Sequence, residues 1–236
     1  MIEKQENLES HLTELRQRII YSLVICLISL IIAFAFSSKT ILQLQKLAPA
    51  GATFFQLRPG ELFFVHLKTA TYLAFMIAYP FLLGQLKAFV WPGLKSQEKQ
   101  TSNIIIIGSP FLFLIGLAFA YFLALKPMLN FLFGFGLEAG LVEAHYSLDY
   151  FISFVLSIFF ILGLSFQLPI LVFILAIFNL ITSGQLAKHW QIICFGIFAL
   201  AAIITPTPDP FNMILVGLAL IFLYGLSILI IKLCGK

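Results

Sequence analysis

The sequence has very little charge for its length. Of its 236 residues, only 10% are Asp, Glu, Lys or Arg, while 61% are hydrophobic. A soluble domain of this size carries much more polar surface. The apolar runs are long and continuous, so they predict membrane-spanning α-helices and exclude a barrel of short alternating strands. The chain is therefore expected to be an all-α integral membrane protein.

Cysteines and catalytic motifs are also scarce. The three cysteines, Cys26, Cys194 and Cys234, stand singly in or beside apolar runs, without CxxC spacing. We expect them to be small apolar side chains, and we predict no disulfide, no metal and no cofactor. The sequence has no GxxxxGK[ST] loop for ATP and no HExxH motif, which argues against an enzyme. It also has no basic patch interleaved with aromatic residues, so nucleic-acid binding is not expected.

Six apolar spans are predicted within a single membrane domain that covers residues 1–236. They lie near Ile19–Phe36, Phe63–Leu86, Ile104–Leu125, Tyr150–Phe178, Trp190–Ile204 and Phe211–Ile231. Residues 1–18 are expected to form a cytoplasmic amphipathic segment before the first span. The first span and the Ala33-Phe34-Ala35 triplet resemble a cleavable signal, but the long Glu-containing segment before them favours retention.

The distribution of Lys and Arg predicts the orientation. With the N-terminus in the cytoplasm, the basic residues of the cytoplasmic segments are Lys4, Arg16, Arg18, Lys87, Lys95, Lys99, Lys188, Lys232 and Lys236. Those of the outer segments are Lys39, Lys46, Arg58 and Lys126. Because basic residues concentrate on the cytoplasmic side of membrane proteins, both termini are predicted to be cytoplasmic.

The segment HLTELRQRII, residues His11–Ile20, places polar groups where the chain enters the membrane. Apolar residues recur at the spacing of one helical stripe: Leu8, Leu12, Leu15 and Ile19. Glu14 and Arg18 are four residues apart on another face, which suits an ion pair on a helix surface. Periodicity alone favours an amphipathic helix whose arginines follow the positive-inside rule.

Two further segments carry polar groups. In FLLGQLKAFVWPGLKSQEKQ, Glu98 lies among lysines. This loop is either a solvated basic surface or, together with Glu14, part of an acidic site at the same membrane face.

In the segment GLSFQLPI, Gln167 is an amide within an apolar span, two residues before Pro169. Proline frees the carbonyl four residues back, that of Ser165, so a kinked helix is predicted. Gln167 either supports this kink and internal packing or docks a helix of another protein.

Five motifs occur in order along almost the whole chain. They are HLTELRQRI, FVWPGLKSQEK, the FLIGLAFAYF run of Phe113–Phe122 with Pro127 after it, GLSFQLP, and TPTPD. This order resembles TatC, the multispanning core of the twin-arginine protein translocase. The resemblance implies a concave, cup-like arrangement of six helices. It also implies a receptor that recognises twin-arginine signal peptides and helps to export folded proteins across the membrane.

The resemblance assigns signal-peptide binding to four residues at the cytoplasmic face. Glu14 and Glu98 match the acidic positions that receive the paired arginines of the signal. Arg16 matches the basic position of the N-terminal motif. Phe89 matches the aromatic residue at the mouth of the first cytoplasmic loop.

The resemblance also covers the membrane interior and the outer side. Gln167 stands where the family typically has Glu. This difference argues against a role that needs a titratable carboxyl group, but Gln167 could still form hydrogen bonds with a partner helix. Pro169 is assigned to the same docking point. Asp209 matches an acidic residue of the outer loop after TPTP. Pro49 matches a proline of the first outer loop.

The implied partners are signal peptides of cargo proteins, single-span proteins like TatA and TatB, further copies of this chain, and the lipids of the cell's inner, cytoplasmic membrane. The proton-motive force is the implied source of energy. The alternative is a subunit of a proton-coupled small-solute transporter, which would need ionisable groups inside the membrane. Its candidates, His66 and Lys68, lie near the end of a span.

Overall fold

The computed structural model of the chain describes residues 2–90, 96–138, 145–178, 180–207 and 209–233, with the side chains of 2–12, 90, 96–104 and 133–138 excepted. In chain order the elements are α1 (Ile2–Gln45), β1 (Thr53–Phe55), α2 (Glu61–Val90), α3 (Ser96–Phe119), a π-helical turn (Ala120–Ala124), α4 (Leu125–Glu138), β2 (His145–Ser147), α5 (Leu148–Ser165), α6 (Leu168–Ile177), α7 (Ser183–Lys188), α8 (Trp190–Ile204) and α9 (Pro210–Leu233).

The helices confirm the predicted all-α membrane class. In the described part of the chain, five helical stretches are long and apolar enough to cross a membrane, and α8 is a shorter apolar helix. The bounds of α8 are those predicted from its apolar run. Helix α1 is continuous over 44 residues, so the predicted amphipathic segment and the first span belong to one helix. The third predicted span is also longer than expected, because α3, the π-helical turn and α4 follow one another directly.

The chain divides into two compact units. The first comprises Met1–Ile41 and His66–Pro110. Its core includes Ala33 of α1 packed with Ala70 and Ala74 of α2, and such small side chains let two membrane helices approach closely. Farther along α2, the Tyr79 hydroxyl and the Ser109 hydroxyl of α3 lie 2.9 Å apart in a buried hydrogen bond.

The second unit comprises Leu42–Val65 and Phe111–Lys236, and α5 supplies much of its buried core. Glycines allow α3 and α5 to pack tightly. A Cβ atom on Gly163 would lie 2.8 Å from the ring of Phe113, and one on Gly116 would lie 3.0 Å from the carbonyl oxygen of Leu162. These contacts hold the end of α5 firmly against α3.

A π-helical turn separates α3 from α4, shortly before Pro127. In this turn the backbone N–H of Leu125 bonds to the carbonyl of Ala120, five residues back. Proline lacks an N–H and its ring crowds the preceding turn, so a locally wider turn is a typical way for a helix to continue past it.

Two short strands connect two loops of the second unit. β1 and β2 pair in parallel, with Thr53 opposite His145 and Phe55 opposite Ser147. The Thr53 hydroxyl lies 2.7 Å from Nδ1 of His145. The loop before α2 is therefore bound to the segment that leads into α5.

Candidate functional site

Glu14, Arg18 and Gln85 form a continuous polar cluster in the first unit. A terminal nitrogen of the Arg18 guanidinium, Nη2, lies 3.3 Å from Oε1 of Glu14, one helical turn away on α1. The other terminal nitrogen, Nη1, donates a hydrogen bond to Oε1 of Gln85 on α2, also at 3.3 Å. The Glu14 and Arg18 side chains are each 31% exposed, so solvent screens the pair only in part. The ion pair expected from the spacing of Glu14 and Arg18 is present, and α2 adds a third member.

An apolar groove of about 330 Å³ adjoins this cluster. Arg18 and Gln85 line it, together with apolar side chains of α1 and α2: Leu15, Ile19, Leu23, Leu82, Leu86 and Phe89. The groove therefore offers hydrogen-bonding and apolar contacts side by side.

The structure shows different amounts of detail for the other residues that the sequence assigns to signal-peptide binding. Phe89 is half-buried in the groove wall. Arg16 is exposed on α1. Glu98 lies in the first turn of α3, but its side chain is outside the described part of the structure. Trp91 and Pro92, which follow Phe89 in the FVWPGLKSQEK motif, lie outside the described residues.

Gln167 lies at a short break between α5 and α6. Helix α5 ends at Ser165, and α6 begins at Leu168 with Pro169 in its first turn. The backbone N–H of Gln167 bonds to the carbonyl of Leu164 at 2.9 Å, and the carbonyl of Gln167 accepts the N–H of Leu171 at 3.0 Å. Phe166 and Gln167 keep right-handed helical backbone angles, so residues Leu148–Ile177 still form one stretch long enough to cross a membrane, with a short interruption next to Pro169. Proline fits there because the first turn of a helix does not need its N–H.

Asp209 caps the last membrane helix. Its Oδ1 accepts the backbone N–H of Asn212 at 2.7 Å, and Pro210 stands at the first helical position, which are two typical features of a helix start. Its Oδ2 accepts the Thr207 hydroxyl at 2.5 Å and the Asn212 side-chain amide at 2.8 Å. Asp209 thus organises the turn between α8 and α9.

Pro49 begins a turn just after α1. Its carbonyl accepts the backbone N–H of Ala52 at 3.2 Å. Gly51, the third residue of this turn, has φ 84°, as a type II turn requires. The turn redirects the chain into β1.

Comparisons with known proteins agree with one another. The family described as "Sec-independent protein translocase protein (TatC)" matches residues 10–218. The chain belongs to the TatC family. It is 38% identical to the Sec-independent protein translocase protein TatC of Synechocystis, over 98% of this chain and 89% of that one. It is 35% identical to the chloroplastic TATC of Arabidopsis thaliana, over 99% of this chain and 68% of that one.

Solved TatC structures have the same fold. A crystal structure of the twin-arginine translocase receptor TatC superposes with a TM-score of 0.82 at 34% identity, and the match covers 96% of this chain and 100% of that chain. As a TatC-family protein, the chain is a multi-pass membrane subunit of a Sec-independent protein translocase and not an enzyme. Relatives occur in a cyanobacterium and in chloroplasts.

Two residues of this TatC-family chain were not singled out from the sequence. Gln85 was missed because an amide in an apolar helix gives no indication of a partner 67 positions earlier. Glu61 was missed although it follows Pro59-Gly60, a pair typical of a turn before a helix. Its carboxylate bonds to the start of α5, close to Tyr146 of β2. Burial raises the pKa of the Tyr146 hydroxyl above its usual range.

Proposed function

We propose that this TatC-family chain is the translocase receptor for twin-arginine signal peptides and that it binds them at its cytoplasmic face. Glu14 and Glu98 would each receive one guanidinium of the arginine pair. The observation that carries the proposal is that the Glu14 carboxylate is already placed to hold a guanidinium, that of Arg18, beside an apolar groove. A signal peptide offers the two features that such a site fits, a pair of arginines and an apolar segment.

Charge alone would not make the site selective. Exposed ion pairs contribute about 0–1 kcal/mol each, whereas hydrogen bonds to charged groups that are partly removed from water contribute about 1.5–3 kcal/mol. The partial burial of Glu14 favours the second case. Arginine is preferred to lysine because its planar fork matches a carboxylate with two parallel hydrogen bonds.

The apolar groove would take the part of the signal that follows the arginines. Phe89 and the leucines of α1 and α2 supply its apolar surface. Exposed Arg16 lies close to Glu14 along α1 and would keep this end of the helix at the membrane surface. This arrangement requires the N-terminus to be cytoplasmic, and we propose that orientation, with both termini inside, in the cytoplasmic (inner) membrane.

Crosslinking tests the proposal. A twin-arginine peptide with a photoreactive group beside its arginines should crosslink strongly to the native chain and weakly to the Glu14→Lys and Glu98→Lys variants. Gln17→Lys is the control for the introduced side chain, since it places a lysine at an exposed position of α1 without removing a carboxylate. Unchanged crosslinking in both Glu variants would show that the assignment is wrong.

We also propose that single-span proteins like TatA and TatB pack beside the break at Gln167. Gln167 is half-buried, and a neutral amide within the membrane can donate and accept hydrogen bonds without the cost of a buried charge. Pro169 would fix the break that presents it. The complex would contain further copies of this chain and use the proton-motive force. Co-purification of the partners should be lost in Gln167→Leu and kept in Gln167→Asn.

The transporter alternative has no comparable support. Of its two candidate groups, His66 lies with Nδ1 2.8 Å from the Ser37 hydroxyl, which itself donates to the carbonyl of Phe34. The histidine thus has a structural partner between α1 and α2. Membership of the TatC family assigns protein transport, not solute transport.

A further inference from the structure

The carboxylate proposed to receive a signal arginine is occupied in this structure by an arginine of the same chain. Arg18 contacts Glu14 through one nitrogen and one oxygen at 3.3 Å. A ligand arginine that binds this carboxylate through two parallel hydrogen bonds needs both of its oxygens, and it must therefore take the place of Arg18.

We infer that Arg18 is an internal competitor for the Glu14 site, which an incoming signal arginine displaces. The inference rests on the proposed function, since it concerns the same carboxylate. It adds a regulatory role to a residue whose charge would otherwise serve only membrane topology.

The geometry suits an occupant that can be exchanged. The Arg18–Glu14 contact is longer than the 2.7–2.9 Å typical of a charge-assisted N–H···O bond, and it is not the bidentate fork that makes an arginine–carboxylate pair strong. A ligand arginine arriving from outside α1 is not bound by the spacing of one helical turn and can approach in the forked orientation. The exchange thus replaces a weak pair by a stronger one.

Gln85 makes the exchange less costly. Its side-chain oxygen accepts a hydrogen bond from the second terminal nitrogen of Arg18, so α2 holds the guanidinium independently of Glu14. When Glu14 is taken by a ligand, Arg18 retains this partner at the groove wall. A buried or half-buried charge that loses all its partners is strongly destabilising, and Gln85 prevents that outcome.

Competition of this kind sets a threshold for binding. It lowers the apparent affinity of every ligand by the same factor, so it does not change the ratio between two ligands. Ligands that bind weakly, such as peptides with lysines in place of the arginines, would then fill only a small fraction of the Glu14 sites. Peptides with two arginines would remain above it.

A double-mutant cycle tests the inference. The dissociation constant of a fluorescent peptide with an Arg-Arg pair and an apolar segment is measured on the detergent-solubilised full chain and on Arg18→Gln, Glu14→Gln and the double variant. Arg18→Gln alone should tighten binding about two- to fivefold, the range expected for removal of a partly screened ion pair. In the Glu14→Gln background the same change should have no effect.

Lys87→Gln is the control for charge, since it removes one positive charge near the same end of α2. It should leave the dissociation constant unchanged. Equal tightening in Lys87→Gln, or tightening by Arg18→Gln that persists without Glu14, would show a general charge effect and overturn the inference. So would unchanged or weaker binding in Arg18→Gln. If Glu14→Gln itself leaves binding unchanged, the proposed function fails; if Glu14→Gln weakens binding and Arg18→Gln does not strengthen it, only the inference fails.

Discussion

The carboxylate of Glu61 accepts a hydrogen bond from the backbone N–H of Asp149, 88 positions later in the chain, at 3.3 Å. The same oxygen accepts the Ser147 hydroxyl at 3.2 Å. The other oxygen accepts the backbone N–H groups of Leu57 at 2.7 Å and Arg58 at 3.1 Å. One side chain thus joins the turn before α2 to the start of α5.

We expect Glu61→Gln to destabilise the protein. The amide would place an NH₂ group where the carboxylate now accepts hydrogen bonds, so donors would face donors on one side of the side chain. The temperature of unfolding in detergent should fall. Chymotrypsin should also cut the segment before α2 more readily after Phe55.

Arg58→Gln is the control for the stability measurement, since Arg58 contributes its backbone N–H to this contact. Its unfolding temperature should match that of the native chain. A Glu61→Gln variant as stable as this control would show that these hydrogen bonds do not hold the loop before α2 to the start of α5.

Replacing Asp209 should weaken the start of α9. Loss of an N-cap side chain destabilises a helix by about 0.5–2 kcal/mol, and Asp209→Ala also removes the acceptor for Thr207 and for the Asn212 amide. Asp209→Asn keeps a good capping oxygen. Thermal unfolding should therefore rank the native chain first, Asp209→Asn second and Asp209→Ala last, and an equal effect of Asn and Ala would contradict the capping role.

Two glycines of α9 make a matched pair. A Cβ atom on Gly217 would lie 2.5 Å from the ring of Phe198 on α8, whereas one on Gly225 would meet nothing within 4 Å. Gly217→Ala should destabilise by about 1–3 kcal/mol through overpacking. Gly225→Ala should be neutral or stabilising by up to about 1 kcal/mol, because alanine favours the helix. Equal unfolding midpoints for the two variants would show that α8 and α9 do not pack this closely.

Tyr224 should hold the short helix α7 in place. Its hydroxyl donates to the carbonyl of Leu186 at 2.7 Å, and α7 has six residues, too few to be stable alone. Tyr224→Phe keeps the ring and removes the hydrogen bond, at a cost of about 0.5–1.5 kcal/mol. Amide hydrogen exchange should become faster in Ser183–Lys188, with little change in α9. Uniformly faster exchange in both helices would point to general unfolding instead.

Local patterns in the sequence predicted local structure well. The apolar run from Trp190 to Ile204 ends at Thr205-Pro206, and the helix has the same bounds. The Glu14–Arg18 pair was predictable because both partners lie on one helix, where four residues bring side chains together.

Contacts between distant segments could not be predicted in this way. The hydrogen bonds of Gln85 and Glu61 depend on which helices and loops become neighbours, and spacing along the chain does not contain that information. Pro169 shows a different limit. Its missing N–H is compatible with a kink or with a new helix, and the chain divides into α5 and α6 at Phe166, whose side chain packs closely against Gly116 of α3.

The length of α8 has a consequence for the surrounding lipid. Its 15 residues extend about 22 Å at 1.5 Å per residue, while the hydrocarbon layer of a bilayer is about 30 Å thick. The neighbouring α9 has 24 residues, about 36 Å. Acyl chains beside α8 must shorten their extension or expose apolar tails to water, whereas those beside α9 need not. The protein is therefore expected to make the membrane thinner on one of its sides, and lipids with short acyl chains should gather there.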